Sequence, residues 1–498
     1  MAAIGRRNGT TRTRRAGRQT IRAVIGGLAV AVVVGACSNA VATPSLTVGP
    51  SGIGPTQTAQ VLPTGIGETW PPAATVRDAS GLFDAAMGST PRVVAAMDSV
   101  GTAGSELNDF GFDILRRLDT SGNSCASPAS IALALAMVRP GAKGETAAQM
   151  DTVMHSFGKP EQAALIAALQ QLLNGQTYYQ DPNTGMPGAT PFSSGQAATQ
   201  TLNVSDQVFS QKGMPLLPEF LNSLSSTFGA GVGLLDYKAD PDGSRQVINK
   251  WVNDNTAGRI PQILEPSDIT SDTRIALANA IYLKSPWTSP FQPSDTANKP
   301  FTTATGGSVS VPTMATELLL QYATGAGYRA VELPMGGEDS SLSMLIVVPD
   351  NLASFVKGLT GSSLASIVAA EFEADVDLNL PRFSVNSRVD LAETLQTMGM
   401  TDLFDDNRAD LSGINGNVPE PLVVAKVIHQ ANIDVVEEGT TASAATVVVA
   451  RAAGAAPPES PPPKVTFHVD HPFIYLIREK TSGAVLFVGT VANPSSGG

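Results

Sequence analysis

Two cysteines in 498 residues are too few for a disulfide framework, so the fold has to rest on its hydrophobic core. Histidine is nearly as scarce, with four residues at positions 155, 429, 468 and 471. His468 and His471 lie close enough together to suggest a metal pair, but no further ligand stands beside them, and neither metal nor cofactor is expected. Gly-x-Ser-x-Gly, His-Glu-x-x-His, Cys-x-x-Cys and Walker-type loops are all missing, which removes the usual handles for hydrolase, zinc and nucleotide chemistry. Basic residues are also few. Lysine and arginine total 32 against 44 acids, and seven of the arginines (Arg6, Arg7, Arg12, Arg14, Arg15, Arg18 and Arg22) precede residue 37 with no acid among them. The remaining chain carries 25 basic and 44 acidic residues, a formal charge of −19. That excess repels phosphate backbones and anionic head groups, so no nucleic-acid partner is expected, nor electrostatic membrane binding by the folded part.

The arginine-rich start runs into an apolar stretch, Ala23 to Ala36, too short to span about 30 Å of hydrocarbon. Residues 1–36 therefore read as an export signal. Its end, Val34-Gly35-Ala36-Cys37, resembles the lipobox at which bacteria lipidate a cysteine and cleave before it. Cys37 is the expected lipidation site, and a lipid there the expected contact with a membrane. The Arg14-Arg15 pair resembles a twin-arginine signal in part, which leaves the export route open. With Cys37 so used, Cys125 has no partner; it reads as a small buried hydrophobe rather than a reactive thiol. Residues 37–94 are rich in Pro, Thr, Gly, Ala and Ser and read as a tether, with the folded domain over 95–498.

Within that domain Ala129 to Met137 predicts a helix stopped by Pro140 and Gly141, and Thr146 to about Leu173 a second helical stretch. Gly175 to Thr201 reads as a surface insertion. Apolar β-rich runs (Ile275 to Leu283, Leu342 to Val348, Val376 to Leu380) alternate with helical ones (Gly243 to Thr256, Leu391 to Met398), a mixed α+β pattern.

One segment stands apart: Glu437-Glu438-Gly439-Thr440-Thr441-Ala442-Ser443-Ala444-Ala445-Thr446, then Val447 to Val449, Arg451, and a proline-rich run to Pro463. Counted in twos from Thr440, one face would present Thr440, Ala442, Ala444, Thr446, Val448 and Ala450, none charged and none large. Such residues suit a loop that can later enter a sheet, because an ion on the inward face would cost several kcal/mol of desolvation. An exposed Ala/Thr linker has a similar composition.

Matches elsewhere decide between these. Ser127-Pro128-Ala129-Ser130-Ile131 with Gly141-Ala142-x-Gly144-x-Thr146 and Gln149, Asn249-Lys250-Trp251-Val252 with Thr256 and Ile260, and Asn279-Ala280-Ile281-Tyr282-Leu283-Lys284 with Trp287, Phe291 and Phe301 all resemble serpin motifs in serpin order. Val311-Pro312-x-Met314, Val331-x-Leu333-Pro334, Pro381-Arg382-Phe383, Ala409-Asp410-Leu411-Ser412-Gly413-Ile414, Val427-Ile428-His429-Gln430-Ala431, His471-Pro472-Phe473 and Gly489-x-Val491-x-Asn493-Pro494 follow in register. The resemblance covers about residues 105 to 494. It implies the serpin fold, with three β-sheets, eight or nine helices and an exposed reactive-centre loop over about 437–463.

The resemblance further implies a monomeric suicide inhibitor of a serine protease, supplying no catalytic group itself. Glu437, Glu438, Gly439, Thr440, Ala442, Ala444, Ala445 and Thr446 would form the hinge. Ser127, Ser130, Asn279 and His429 would form the shutter, the polar cluster beneath the place where sheet strands part, and Trp287 would stand at the breach. The family's usual spacing puts the scissile bond at Ala453-Gly454, which suits an elastase-like or subtilisin-like target; Arg451-Ala452 is the alternative, suited to a trypsin-like pocket. A non-inhibitory serpin-fold binding protein is the competing reading, against which the small hinge residues speak. An exported hydrolase using Ser, His429 and an acid is a further one, weakened by the missing nucleophile elbow.

Overall fold

The computed structural model describes residues 74–78, 80–93, 100–118, 121–174, 178–180, 187–188, 198–337, 340–417, 420–424, 426–440 and 461–496. These fall in one compact unit, Thr69–Gly498. The helix predicted over Ala129 to Met137 runs Pro128–Val138, with Pro128 at its first position and the Ser127 hydroxyl accepting from the Ser130 amide as N-cap. All its side chains are buried. A helix apolar on every face belongs inside the protein, and this one lies behind the central sheet. The stretch Thr146 to Leu173 is two helices, Gly144–Val153 and Ala163–Asn174. Between them Gly158 takes φ +100° and Pro160 opens a short 3₁₀ turn, a break that neither residue allows a continuous helix to cross.

The central sheet has the strand order Ala74–Arg77, Asp84–Met87, Val232–Leu235, Ala198–Gln211, Ile275–Pro286, Gly439–Thr440, Ile428–Val436, Phe383–Asp390. Its first two strands correct the expected tether, because they fold upstream of residue 95. The chain pairs with itself as a hairpin and then with Val232–Leu235 through Asp84↔Leu234, Ala85↔Gly233 and Ala86↔Val232. Phe83 is buried edge-on against Phe209, at 4.9 Å between ring centres, and Phe209 in turn meets Trp251 at 6.1 Å. The segment continues along the body, where Arg92 donates to Gln170 Oε1 at 2.6 Å and the Val93 amide to Ser226 O at 2.8 Å. Residues 37–73, 79 and 94 of the proposed tether, with Cys37 and the export signal, lie outside the described residues. A chain started at residue 94 would expose Phe209 and leave Val232–Leu235 as an open edge. It is expected to lose about 2–4 kcal/mol of stability relative to one started at residue 69, measurable by urea denaturation.

The second sheet runs Lys464–His468, Phe372–Pro381, Ser308–Gly325, Tyr328–Pro334, Leu342–Pro349, Phe473–Glu479, Val485–Val491, Ser124–Ala126, with Ala297–Thr302 paired to Ser308–Gly325 off this path. The described residues thus form two large sheets rather than three. The reason is the 18-residue strand Ser308–Gly325, which bonds Ala297–Thr302 at one end, Phe372–Pro381 in its middle and Tyr328–Pro334 at the other, joining what would otherwise be separate sheets. Ten α-helices occur among the described residues, against the eight or nine expected. Of the 175–201 insertion, Tyr178–Gln180 and Pro187–Gly188 pair with each other, and the strand Ala198–Gln211 already begins inside it. No single helix among the described residues is long and apolar enough to cross a membrane.

Candidate functional site: the hinge, the slot and the shutter

Glu437 and Glu438 form the turn at the end of strand Ile428–Val436, and Gly439 reverses the chain at φ +141°. A Cβ at position 439 would sit 2.3 Å from the Ser285 carbonyl oxygen, so both the conformation and the space call for glycine. Gly439 and Thr440 then pair on both sides, with Pro286 and Ser285 on one strand and with Val436 and Val435 on the other. Thr440 is buried, and its hydroxyl donates to Ser285 O at 3.2 Å. These two residues occupy a position between Ile275–Pro286 and Ile428–Val436. Among the described residues no ladder joins those two strands directly. Below the hinge a narrow cleft opens between Ile281, Tyr282 and Leu283 on one strand and Asn432 and Asp434 on the other, roofed by Thr256, Arg259 and Ile260. The sheet therefore has a slot, and the start of the loop is in it.

The hinge is pinned at its base. The buried carboxylate of Glu437 accepts from Arg382 Nε at 2.8 Å, from Arg382 Nη2 and from the Thr296 hydroxyl. Burial alone would raise its pKa, but these donors outweigh burial and hold it below the ordinary carboxylate range. The amides of Trp287 and Phe291 donate to Glu438 O and Glu437 O, each at 3.0 Å. Trp287 itself is fully buried, donates through Nε1 to Val436 O at 2.9 Å and packs edge-on against Phe291. Arg382, Thr296 and Phe291 were not assigned to this anchor from the sequence.

The four residues that the resemblance assigns to the shutter come together from three elements. Ser127 and Ser130 open helix Pro128–Val138, Asn279 lies mid-strand in Ile275–Pro286, and His429 lies near the start of Ile428–Val436. The Ser127 amide donates to His429 Nε2 at 3.0 Å, Asn279 Nδ2 donates to Ser130 O at 2.6 Å, and the Ser130 hydroxyl donates to Asn279 Oδ1. The helix is thereby hydrogen-bonded to the strands on both sides of the slot. Because His429 Nε2 must accept, its ring proton is assigned to Nδ1. Burial drives its pKa down to about 4, so the ring is neutral at physiological pH. His429→Ala leaves the Ser127 amide without a partner and a cavity beside it. The expected loss is about 2–4 kcal/mol, seen as a lower melting temperature and as loop–sheet polymers on native gels; an unchanged melt with monodisperse protein would contradict it.

A fifth member was missed. Asp206 stands opposite Asn279 in the ladder between Ala198–Gln211 and Ile275–Pro286, and its Oδ1 accepts from Asn279 Nδ2. The signal in the sequence is an acid interrupting the alternate aliphatic positions Leu202, Val204 and Val208, all buried.

The remaining assignments sort simply. Cys125 is buried, and burial pushes its thiol up to about 12, so it stays protonated. His468 Nε2 lies 3.8 Å from Asp377 Oδ2, and His471 Nδ1 lies within hydrogen-bond distance of Asp470 Oδ1, at 2.7 Å. Ala442, Ala444, Ala445, Thr446, Arg451, Ala452, Ala453 and Gly454 lie outside the described residues. The chain is described again from Pro461, and Lys464–His468 pairs in parallel with Phe372–Pro381 in the second sheet. The two ends of the loop are therefore held by different sheets.

A loop starting in a slot of one sheet, returning through another, and backed by a polar cluster beneath the slot defines the serpin class of fold. The chain belongs to the serpin family: the family model described as serpin (serine protease inhibitor) matches residues 105–494. It is a family of protease inhibitors, not of enzymes. Among curated relatives, the chain is 31% identical over 404 residues to a leukocyte elastase inhibitor of Xenopus laevis, covering 78% of this chain and 99% of that one. It is 33% identical over 399 residues to a leukocyte elastase inhibitor of Bos taurus (77% and 97% covered) and 33% identical over 401 residues to human serpin B3 (78% and 99%). Among solved structures, protease nexin-1 with heparin superposes with TM-score 0.65 at 28% identity, covering 79% of this chain and 100% of that one. The fold is likewise similar to that of native tengpin, a thermophilic serpin, with TM-score 0.68 at 24% identity and 82% and 97% coverage.

Proposed function

We propose that the protein is a single-use trap for an elastase-like or subtilisin-like serine protease. The observation that carries this reading is the seating of Gly439 and Thr440 between Ile275–Pro286 and Ile428–Val436, because a loop whose first residues already occupy the slot can continue into it as a strand. The target's serine attacks the Ala453 carbonyl, and the Gly454 amine leaves with a proton from the protease's histidine. Ala453 remains as an ester on the enzyme. With the bond to Gly454 broken, the residues after Thr440 are free to pair with both strands, and insertion of a loop into a sheet is the family's established form of strand addition. The protease is dragged along by its ester, and distortion of its oxyanion site prevents hydrolysis. The leukocyte elastase inhibitors among the relatives accord with a small residue at the bait position. We further propose that the chain acts as a monomer exported and held at the outer face of its membrane by lipid on Cys37; radiolabelled palmitate should enter the protein and be absent from Cys37→Ser.

Mixing the purified protein with an elastase, a subtilisin-type protease and trypsin tests the mechanism and the bait together. The expected result is a covalent complex with elastase that survives boiling, and a released peptide beginning at Gly454. A peptide beginning at Ala452, with complex only for trypsin, moves the bait to Arg451. Cleavage without complex by all three overturns the inhibitor reading in favour of a non-inhibitory binding protein.

A further inference from the structure

We infer that Asp206 is a positioning residue of the shutter, a buried carboxyl that fixes the Asn279 amide and whose proton helps to keep the strands closed. Asn279 uses both hydrogens of its amide nitrogen, one on Ser130 O at 2.6 Å and one on Asp206 Oδ1, while its oxygen accepts from the Ser130 hydroxyl. With Asp206 in place the amide has only one orientation that satisfies all three bonds. Without it, one N–H would face the aliphatic side chains of the core. The chain Asp206, Asn279, Ser130, Ser127, His429 then runs from a strand on one side of the slot, through the helix behind it, to a strand on the other side. Orientation at one end is thus coupled to contact at the other.

The second oxygen, Oδ2, is buried and has no hydrogen-bond partner. No cation is paired with Asp206 among the described residues. Helix Pro128–Val138 and strand Val232–Leu235 contain no charged residue. Strand Ile275–Pro286 has one, Lys284, which stands opposite Thr201, five residues from Asp206 in the ladder. The other titratable group of the cluster is His429, itself neutral. An ionised carboxylate in this setting has one oxygen unsolvated and no counter-charge, whereas the protonated acid avoids the unpaired charge and still accepts from Asn279. Burial accordingly raises its pKa to about 7, the Asn279 hydrogen bond opposing only part of the rise.

The sign follows. A carboxyl whose folded pKa lies above its unfolded value contributes its full stability below about pH 4 and loses it as pH rises towards about 7. His429 works in the other direction: its folded pKa is depressed, so its contribution is present above about pH 6.5 and is lost as pH falls towards about 4. The two partly cancel in the intact protein, and only the difference between intact protein and variant isolates Asp206.

The experiment is urea denaturation of the full chain and of Asp206→Asn from pH 4 to pH 9. The expected result is that the variant gains on the intact protein by tenfold or more in the unfolding constant across this range and levels off above about pH 7. Denaturing at pH 5.5 should also release one proton more from the intact protein than from the variant. Asp206→Val, which completes the aliphatic row, should flatten the same component even if its absolute stability is lower. The pH difference read on Glu371→Gln serves as a control, since Glu371 is also raised to about 7, by burial and by Glu332. A difference between intact protein and both Asp206 variants that does not change with pH would overturn the inference. The consequence for strand opening rests on the loop-insertion reading and has its own readout: uptake of a synthetic hinge peptide should be slower at pH 5.5 than at pH 8 in the intact protein and equal in Asp206→Asn. Stability data that follow the prediction without any peptide uptake would fault loop insertion and leave the proton-linked carboxyl standing.

Discussion

Thr440→Arg should turn the protein from an inhibitor into a substrate. Thr440 is buried between Ser285 and Val435, with its hydroxyl on the Ser285 carbonyl. A guanidinium there would find the neighbouring acids engaged: Glu437 is bonded to Arg382 and Thr296, and Asp434 in the cleft below to Arg259 and Ser384. Burying it unpaired costs several kcal/mol. The uncut protein can avoid that cost by letting Gly439 and Thr440 swing out of the slot, losing only two short ladder pairings. The cleaved loop cannot, because insertion has to begin at this residue. Each 1.4 kcal/mol added to the insertion barrier slows it about tenfold relative to deacylation, so the fraction of encounters ending in a stable complex should fall at least a hundredfold. The melting temperature of the uncut protein should move by only a few degrees. Titrating a fixed amount of protease with variant and intact protein reads this directly. Retained stoichiometric inhibition would show that the inward face of the hinge tolerates a charge, and the alternation argument would fail with it.

That alternation was legible in the sequence because it is local: six small uncharged residues at every second position need no knowledge of their partners. The helix stop at Pro140 and Gly141 was legible for the same reason, because single residues there impose backbone limits. The Gly158 to Pro160 break belongs to the same class, although the apolar run across it reads as one helix. The hairpin Ala74–Met87 was hidden for the opposite reason. Its two short strands, Ala-Thr-Val-Arg and Asp-Ala-Ala-Met, lie in a region otherwise rich in backbone breakers, and what holds them is Val232–Leu235, about 150 residues downstream. Whether three sheets are joined into two depends on one strand staying extended for 18 residues, which no periodicity specifies. Asp206 was missed although it shares the face of Leu202, Val204 and Val208, because the alternation does not say which partner a buried acid meets, and Asn279 lies more than 70 residues downstream. The grouping of Ser127, Ser130, Asn279 and His429 could be expected only through resemblance, since they span about 300 positions and share no spacing.

Trp287→Ala should be the most destabilising single change at the site. The indole is fully buried, packs edge-on on Phe291 at 6.2 Å, and donates to the carbonyl of Val436, the last residue before the hinge turn. Its own amide donates to Glu438 O, and its backbone bridges to Met335 in the next segment. One residue thus ties the end of Ile275–Pro286 to the hinge and to the second sheet. Removing a buried tryptophan ring costs about 3–5 kcal/mol, and the orphaned Val436 carbonyl adds about 1 kcal/mol or more. Trp287→Phe separates the two contributions, keeping most of the packing and losing the hydrogen bond, and should cost about half as much. Because the ring closes the top of the slot, the alanine variant should also lose the distinction between closed and inserted sheet. It is expected to convert on mild heating to a monomer that no longer inhibits, or to polymers, at temperatures where the intact protein stays active. Denaturant midpoints for the three proteins, with residual inhibition after heating, measure both effects. Equal midpoints for alanine and phenylalanine variants would mean that the hydrogen bond to Val436, not the buried ring, holds this corner.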